Sequence, residues 1–308
     1  MNGNEIAQNR YQHLLTAAGR SAPLTTAIAH PCERSVLEAV HEAARLQLIT
    51  PILVGPTAKI RSAADAAGVD IGGLELIDTP HSHAAAAQAV ALVRSGRAEL
   101  LMKGSLHTDE LLAEIVSKTT GLRTGRRISH VFIMSVPTYH KLLLVTDAAI
   151  NIFPTLEEKA DIAQNAIDLA HALNIAQPKV AILSAVETVT SKIPSTIDAA
   201  ALCKMADRGQ ITGALLDGPL AFDNAISKEA AAIKSIVSDV AGDPDILLAP
   251  DLEAGNMLAK QLSFLLNADA AGLVLGARVP IVLTSRADSA LSRIASVALA
   301  VLAADTSH

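Results

Sequence analysis

The sequence predicts an α/β protein built on mainly parallel sheet, and three observations carry that prediction. Short apolar runs of about strand length alternate with amphipathic helical patterns along nearly the whole chain. Those runs are continuous rather than alternating, as expected of strands covered on both faces. Half of the 308 residues are apolar, mostly Ala, Leu, Ile and Val, which supports a large buried core.

In order, a helical pattern at about 35–48 precedes the run Pro51–Gly55, and Leu74–Asp78 precedes an Ala-rich helix at 82–95. Glu99–Lys103 leads into a helix at 108–118. Val131–Met134 and Leu142–Thr146 follow each other with only Pro137–His140 between them, which reads as a hairpin and a local break from parallel topology. Thr155 and Glu158 form a capping-box pattern for a helix to about Leu173. Val180–Leu183, Gly213–Asp217, Ile246–Leu248, Leu273–Leu275 and Ile281–Leu283 complete the strands, and a last helix runs to about Ala303. The length fits two domains, with no linker or repeat to mark the boundary.

Composition excludes several function classes. With 6 aromatics and no Trp there is no stacking platform for single-stranded nucleic acid, and a net charge of −6 lacks the basic footprint of a duplex binder. No apolar run approaches a membrane span, and the N-terminus lacks the pattern of a signal peptide, so a soluble cytoplasmic protein is expected. Cys32 and Cys203 have no metal or redox spacing and read as buried thiols in a reducing compartment. The histidines form no HExxH or other metal spacing, so no metal is expected. His81 and His83 flank Ser82 at a helix entry.

Ligands of open parallel sheets collect at the carboxyl ends of the strands. Those ends carry Lys103-Gly104-Ser105, Asp147, Ser184–Glu187, Asp217-Gly218-Pro219, Ala249-Pro250-Asp251 and Ser285-Arg286. The last is the most informative. A strand delivering hydroxyl, guanidinium and carboxylate groups (Ser285, Arg286, Asp288) to a helix start has the layout of an anion site. In Lys103–Thr108, Gly104 allows close backbone approach and Lys103, Ser105, His107 and Thr108 are candidate oxyanion contacts. The plain alternative is a strand-to-helix turn capped by Thr108. Arg123, Arg126 and Arg127 cluster in a Gly-bearing turn that suits a phosphorylated ligand, against the alternative of a solvated loop. Asp217 and Asp223 have ordinary turn and cap roles open to them, and Asn256 reads as lying near a helix start.

Together, Met102-Lys-Gly, Gly121-Leu-Arg-Thr-Gly125, Thr146-Asp-Ala-Ala-Ile-Asn151, Pro154–Asp161, Asp217-Gly-Pro-Leu220, Glu253-Ala-Gly-Asn256 and Val279–Arg286 resemble the phosphate acetyltransferase/phosphate butyryltransferase family, the butyryltransferase-like branch most closely. The resemblance covers essentially the whole chain. It implies an isocitrate/isopropylmalate dehydrogenase-like architecture of two α/β domains with an interdomain cleft, residues 1–120 with 273–308 forming the first and 121–272 the second. It also implies reversible acyl transfer between coenzyme A and inorganic phosphate by direct attack in a ternary complex, with a short acyl group such as acetyl or butyryl. Coenzyme A is then a substrate rather than a tightly bound cofactor, and a homodimer or larger homo-oligomer is expected.

In that reading Ser285 and Arg286 meet phosphate and the charge of the tetrahedral intermediate, and Lys103, Gly104, Ser105, His107, Thr108, Arg123, Arg126, Asp217 and Asn256 bind substrate. The acetyl-transferring branch has a carboxylate several residues beyond its Ser-Arg pair. Here Leu291-Ser292-Arg293 offers none, so Asp288 is the nearest candidate base, although it is equally placed to cap the last helix. Two alternatives remain at this stage. An oxidoreductase of the same fold group would need a metal-binding cluster, and a non-catalytic acyl-CoA-binding protein would lack the base.

Overall fold

The computed structural model describes residues 3–284 and 289–305. The chain divides into two compact units, an N-terminal one of Tyr11–Arg126 with Ala271–His308, and a central one of Met1–Arg10 with Arg127–Ala270. Helix α1 (Gly3–Ala18) contributes residues to both.

The N-terminal unit runs β1 (Leu24–Ala29), α2 (Arg34–Arg45), β2 (Ile49–Gly55), α3 (Thr57–Ala67), β3 (Glu75–Asp78), α4 (Ser82–Arg94), β4 (Leu100–Lys103) and α5 (Thr108–Val116). The chain re-enters it along β10 (Asp269–Leu275), β11 (Ile281–Val282) and α11 (Ala290–Asp305). The strand order is β3-β2-β1-β4-β11-β10, all parallel except β10, which pairs antiparallel with β11. From β1 the chain goes first to β2 on one side and later to β4 on the other, so the order reverses between β1 and β4. That reversal is the topological switch point at which open sheets bind ligands. Every residue of β4 is buried, as its continuous apolar run requires. Helix α11 packs on α2, β4 and β11 and buries most of its residues from Ser292 to Ala304.

Strand β1, Leu-Thr-Thr-Ala-Ile-Ala, was not among the strands read from the sequence. Its two threonines and two alanines dilute the apolar signal, and only the pairing with β2 and β4 makes it a central strand. Helix α2 stops at Arg45, short of the expected 48, because Gln47 takes a left-handed φ of 57° and turns the chain into β2.

The central unit contains β5 (Ser129–Ser135), β6 (Leu143–Thr146), α6 (Leu156–Ala172), β7 (Lys179–Leu183), α7 (Pro194–Asp207), β8 (Leu215–Leu220), α8 (Phe222–Ile226), α9 (Lys228–Ile233), β9 (Ile246–Leu248) and α10 (Leu252–Leu265). Its order is β5-β6-β9-β7-β8, parallel apart from the antiparallel β5–β6 pair. The expected hairpin is that pair, with Val131 opposite Thr146. The capping box also forms: Glu158 N donates to Thr155 Oγ1 and Thr155 N donates to the Glu158 carboxylate. A core from Met134, Leu143, Val145, Ala181, Leu220, Leu247 and Leu262 fills this unit, and the Tyr139 hydroxyl donates to Pro244 O across 2.7 Å.

Candidate active site

At the switch point, β1 ends in His30 and β4 ends in Lys103-Gly104-Ser105. A Cβ on Gly104 would come within 2.5 Å of both Ala29 O and His30 O, so only glycine allows the two strand ends to approach this closely. Ser105 then knots them together. Its amide donates to His30 O at 2.9 Å, its hydroxyl donates to the same carbonyl at 2.8 Å, and Cys32 N donates to Ser105 Oγ at 3.0 Å. The His30 imidazole presents Nδ1 3.4 Å from that hydroxyl. His30 has a left-handed φ of 55°, which turns the chain sharply out of β1. Burial lowers its pKa, with Lys59 acting in the same direction and Glu110 and Glu33 opposing, so the ring is neutral near pH 7.

Lys103 is buried, with Nζ donating to Gly104 O at 3.2 Å, while His107 is exposed and Thr108 half-buried. The alternative role of Thr108 as a cap is not what forms: His107 occupies the N-cap position of α5 and makes no side-chain cap bond, and Thr108 is the first helical residue. The turn after α5 is fastened to the β10–β11 connection. Thr124 Oγ1 donates to Gly276 O at 2.7 Å, Arg278 N donates to Leu122 O at 2.9 Å, and Arg123 bridges Ala277. Arg123 and Arg126 project from it exposed. Arg127, the third arginine of the cluster, does structural work in the central unit instead. Its Nε donates to Asn151 Oδ1 at 2.6 Å and it pairs with Glu158.

Ser285, Arg286 and Asp288 lie outside the described residues. Their neighbours are placed: Thr284 is buried after β11, and Ser289 caps α11, accepting from Ser292 N at 3.1 Å.

In the central unit the polar strand ends are largely consumed by structure. Asp147 is buried, and its Oδ1 accepts from Ala149 N and Ile150 N while Oδ2 accepts from Asn151 N and, at 2.5 Å, from Asn151 Nδ2. Beside it His130 is wholly buried with Nδ1 lacking a hydrogen-bond partner, and burial pushes its pKa down to about 4 against the opposing charge of Asp147. Asp217 is half-buried within β8 and accepts from Gly218 N at 2.8 Å. Asp223 falls in the first turn of α8 rather than at its cap, which is Ala221. Asn256 lies within α10, whose cap is Asp251, and its Nδ2 donates to Ala148 O at 3.0 Å. Gly255 allows that contact, since a Cβ there would meet Asp147 O at 2.3 Å. Both cysteines are half-buried, and burial pushes Cys32 to about 11 and Cys203 to about 12, so neither is a thiolate at neutral pH.

Of the expected substrate contacts, the N-terminal unit brings Lys103, Gly104 and Ser105 together with His30, and His107 and Thr108 follow at the start of α5. Arg123 and Arg126 lie apart from them, in a turn fastened to the β10–β11 connection, which precedes β11 and so sits at the amino end of the parallel strands. Asp217 and Asn256 belong to the central unit. His30 went unnoticed in sequence because a lone histidine after a weak strand carries no motif. The proximity of Ser105, 75 residues away, is what marks it.

A mainly parallel α/β sheet with polar, closely approached strand ends at its switch point is of the class that binds ligands at that point. The model of the family described as "Phosphate acetyl/butaryl transferase" matches residues 81–301. A phosphate acetyltransferase from Rhizobium meliloti is 66% identical over 294 residues, covering 96% of this chain and 93% of that one. A phosphate butyryltransferase from Clostridium acetobutylicum is 44% identical over 278 residues, 90% of this chain and 92% of its own. The crystal structure of a branched-chain phosphotransacylase from Enterococcus faecalis V583 superposes with a TM-score of 0.79 at 32% identity, covering 91% of this chain and 99% of that one. The chain belongs to the phosphate acetyl/butyryl transferase family, a family of acyltransferases, and has its dehydrogenase-like α/β fold. Neither the oxidoreductase nor the non-catalytic reading is favoured.

Proposed function

We propose that this chain transfers a short acyl group, acetyl or butyryl, reversibly between coenzyme A and inorganic phosphate by direct attack in a ternary complex. The observation that carries this is the family match spanning residues 81–301, which includes the switch-point strand end Lys103–Ser105 and the Thr284-Ser285-Arg286 segment. Phosphate has to be held against a thioester carbonyl while negative charge grows on the carbonyl oxygen, so positioning and preorganised donors supply most of the rate. Arg286 takes the phosphate and the developing charge, and Ser285 donates a hydrogen bond to the same intermediate. On the N-terminal unit Lys103, His107, Thr108, Arg123 and Arg126 are the candidates for holding the anionic substrates and Gly104 lets a ligand approach the backbone, whereas Ser105, also expected there, spends its N–H and its hydroxyl proton on His30 O. Asp217 and Asn256 are the corresponding candidates on the central unit. Asp288 is the candidate base nearest the Ser-Arg pair. Neither thiol takes part, since both are held protonated.

The two units are read as the two domains of the family. No helix among the described residues is long and apolar enough to cross a membrane, in keeping with a cytoplasmic enzyme. Met257, Phe264 and Leu265 stand exposed on α10, in keeping with a homodimer or larger assembly, which light scattering would read directly. The catalytic test is Arg286→Ala, expected to raise the barrier by at least ~2 kcal/mol. Near-normal turnover in that variant removes Arg286 from the mechanism.

A further inference from the structure

We propose that the His30 imidazole moves the coenzyme A thiol proton in this reaction, with Ser105 as the positioning residue that holds its tautomer. The inference rests on the acyl-transfer reading above and assigns the proton to His30 in preference to Asp288.

Hydrogen-bond accounting at Ser105 carries the argument. A serine hydroxyl has one proton and two lone pairs. The proton is committed to His30 O at 2.8 Å, and one lone pair accepts from Cys32 N at 3.0 Å. The remaining lone pair faces His30 Nδ1 at 3.4 Å. Only an Nδ1 that carries the ring proton can answer it, which leaves Nε2 as an acceptor. Among the described residues no hydrogen bond reaches Nε2. Second-neighbour control of this kind is how the tautomer of a working histidine is set.

Position makes that lone pair useful. Strand β1 is hydrogen-bonded to β4, and β4 to β11, all three parallel. The end of β1 is therefore two strand spacings, about 10 Å, from the end of β11, where the chain continues in sequence through Thr284 to Ser285-Arg286. Open parallel sheets bind their ligands at this switch point, and the proposal places the reacting sulfur there, beside the His30 ring. Among the described residues the charged groups that act on the ring are Lys59 of α3, Glu110 of α5 and Glu33 of the β1–α2 turn, and Glu110 also lies 3.2 Å from His83 Nδ1. Their opposing effects leave burial dominant, so the ring is in its basic form at neutral pH.

The step balances without a further reactant. Running from acyl phosphate, Nε2 takes the thiol proton as the sulfur lone pair forms the C–S bond. The C–O bond to phosphate breaks with its electron pair on oxygen. The imidazolium then returns the proton to that oxygen, giving thioester and monohydrogen phosphate. In reverse, His30 takes the proton of the attacking phosphate and returns it to the departing thiolate.

The test is the pH profile of acetyl transfer from acetyl phosphate to coenzyme A in the wild type, His30→Asn, Ser105→Ala and Asp288→Asn. Asn tolerates the left-handed backbone at position 30, and its amide still donates to Ser105 Oγ, so the fold is kept. His30→Asn is expected to lose kcat on the order of 100-fold, with KM for coenzyme A nearly unchanged. The acid limb of the wild-type profile, falling below the ordinary histidine pKa, is expected to vanish. Ser105→Ala keeps the imidazole but not its orientation, so the limb remains with kcat reduced about tenfold. It carries the test if the His30 variant does not fold.

A His30→Asn enzyme within about threefold of wild type, or one that keeps the acid limb, overturns the assignment. So does an Asp288→Asn enzyme that loses the limb while His30→Asn retains it. A folded wild type that transfers no acetyl group fails the acyl-transfer reading itself, and the inference with it.

Discussion

The turns after β4 and β6 are alike in sequence, each a buried strand running into short polar residues, yet they end in opposite states. After β6, Asp147 spends both carboxylate oxygens on four donors from its own turn, and the buried His130 beside it is sealed from water. After β4, Ser105 ties two strands together through backbone groups and orients a half-buried imidazole whose outer nitrogen remains an acceptor. One turn uses its polar atoms to build itself, and the other uses them to present a neighbour. A polar strand end is therefore a place to count hydrogen bonds, and only the remainder after counting is available for chemistry.

The comparison predicts that the closed turn is costly to stability when altered. Asp147→Ala strands three backbone N–H groups and the Asn151 amide, and is expected to destabilise the fold by about 4 kcal/mol, read by urea unfolding. A loss below about 1 kcal/mol would show that water replaces the carboxylate and that the turn is not closed.

The next largest effect is a pH dependence. The folded pKa of His130, about 4, is below the unfolded value of about 6.5. Between those values the unfolded chain binds a proton that the folded chain does not. Its contribution to stability is therefore constant above about pH 6.5 and declines by about 3 kcal/mol as the pH falls to about 4. Unfolding free energies of His130→Gln measured at several pH values should show a correspondingly shallower decline.

In the open turn, Gly104→Ala pushes a methyl group into Ala29 O and His30 O. The expected cost is about 2 kcal/mol of stability, with a fall in kcat that exceeds any loss of folded protein because His30 is displaced. The smallest effect belongs to the start of α6. Thr155→Ala removes the cap of α6 for about 1 kcal/mol and should leave turnover of the folded enzyme unchanged.

Much of this was legible in the sequence. Continuous apolar runs marked β2, β4, β7 and β9, Pro137–His140 marked the antiparallel hairpin, and Thr155 with Glu158 marked the start of α6, because each signal is local. Strand β1 was not legible, since its threonines dilute the apolar run and its place in the sheet comes from long-range pairing. The same holds for the site. Lys103–Thr108 could be read as a strand end, but whether Asp147, Arg127 or Asn256 were ligands or scaffolding depended on partners far along the chain. His30 could not be found at all, because its meaning comes from Ser105.

The most direct measurement is release of coenzyme A thiol from acetyl-, propionyl- and butyryl-CoA with and without added inorganic phosphate. Phosphate acyltransfer predicts thiol release that requires phosphate and accumulates acyl phosphate in equal amount. Thiol release independent of phosphate, or none with any of the three thioesters, would contradict it.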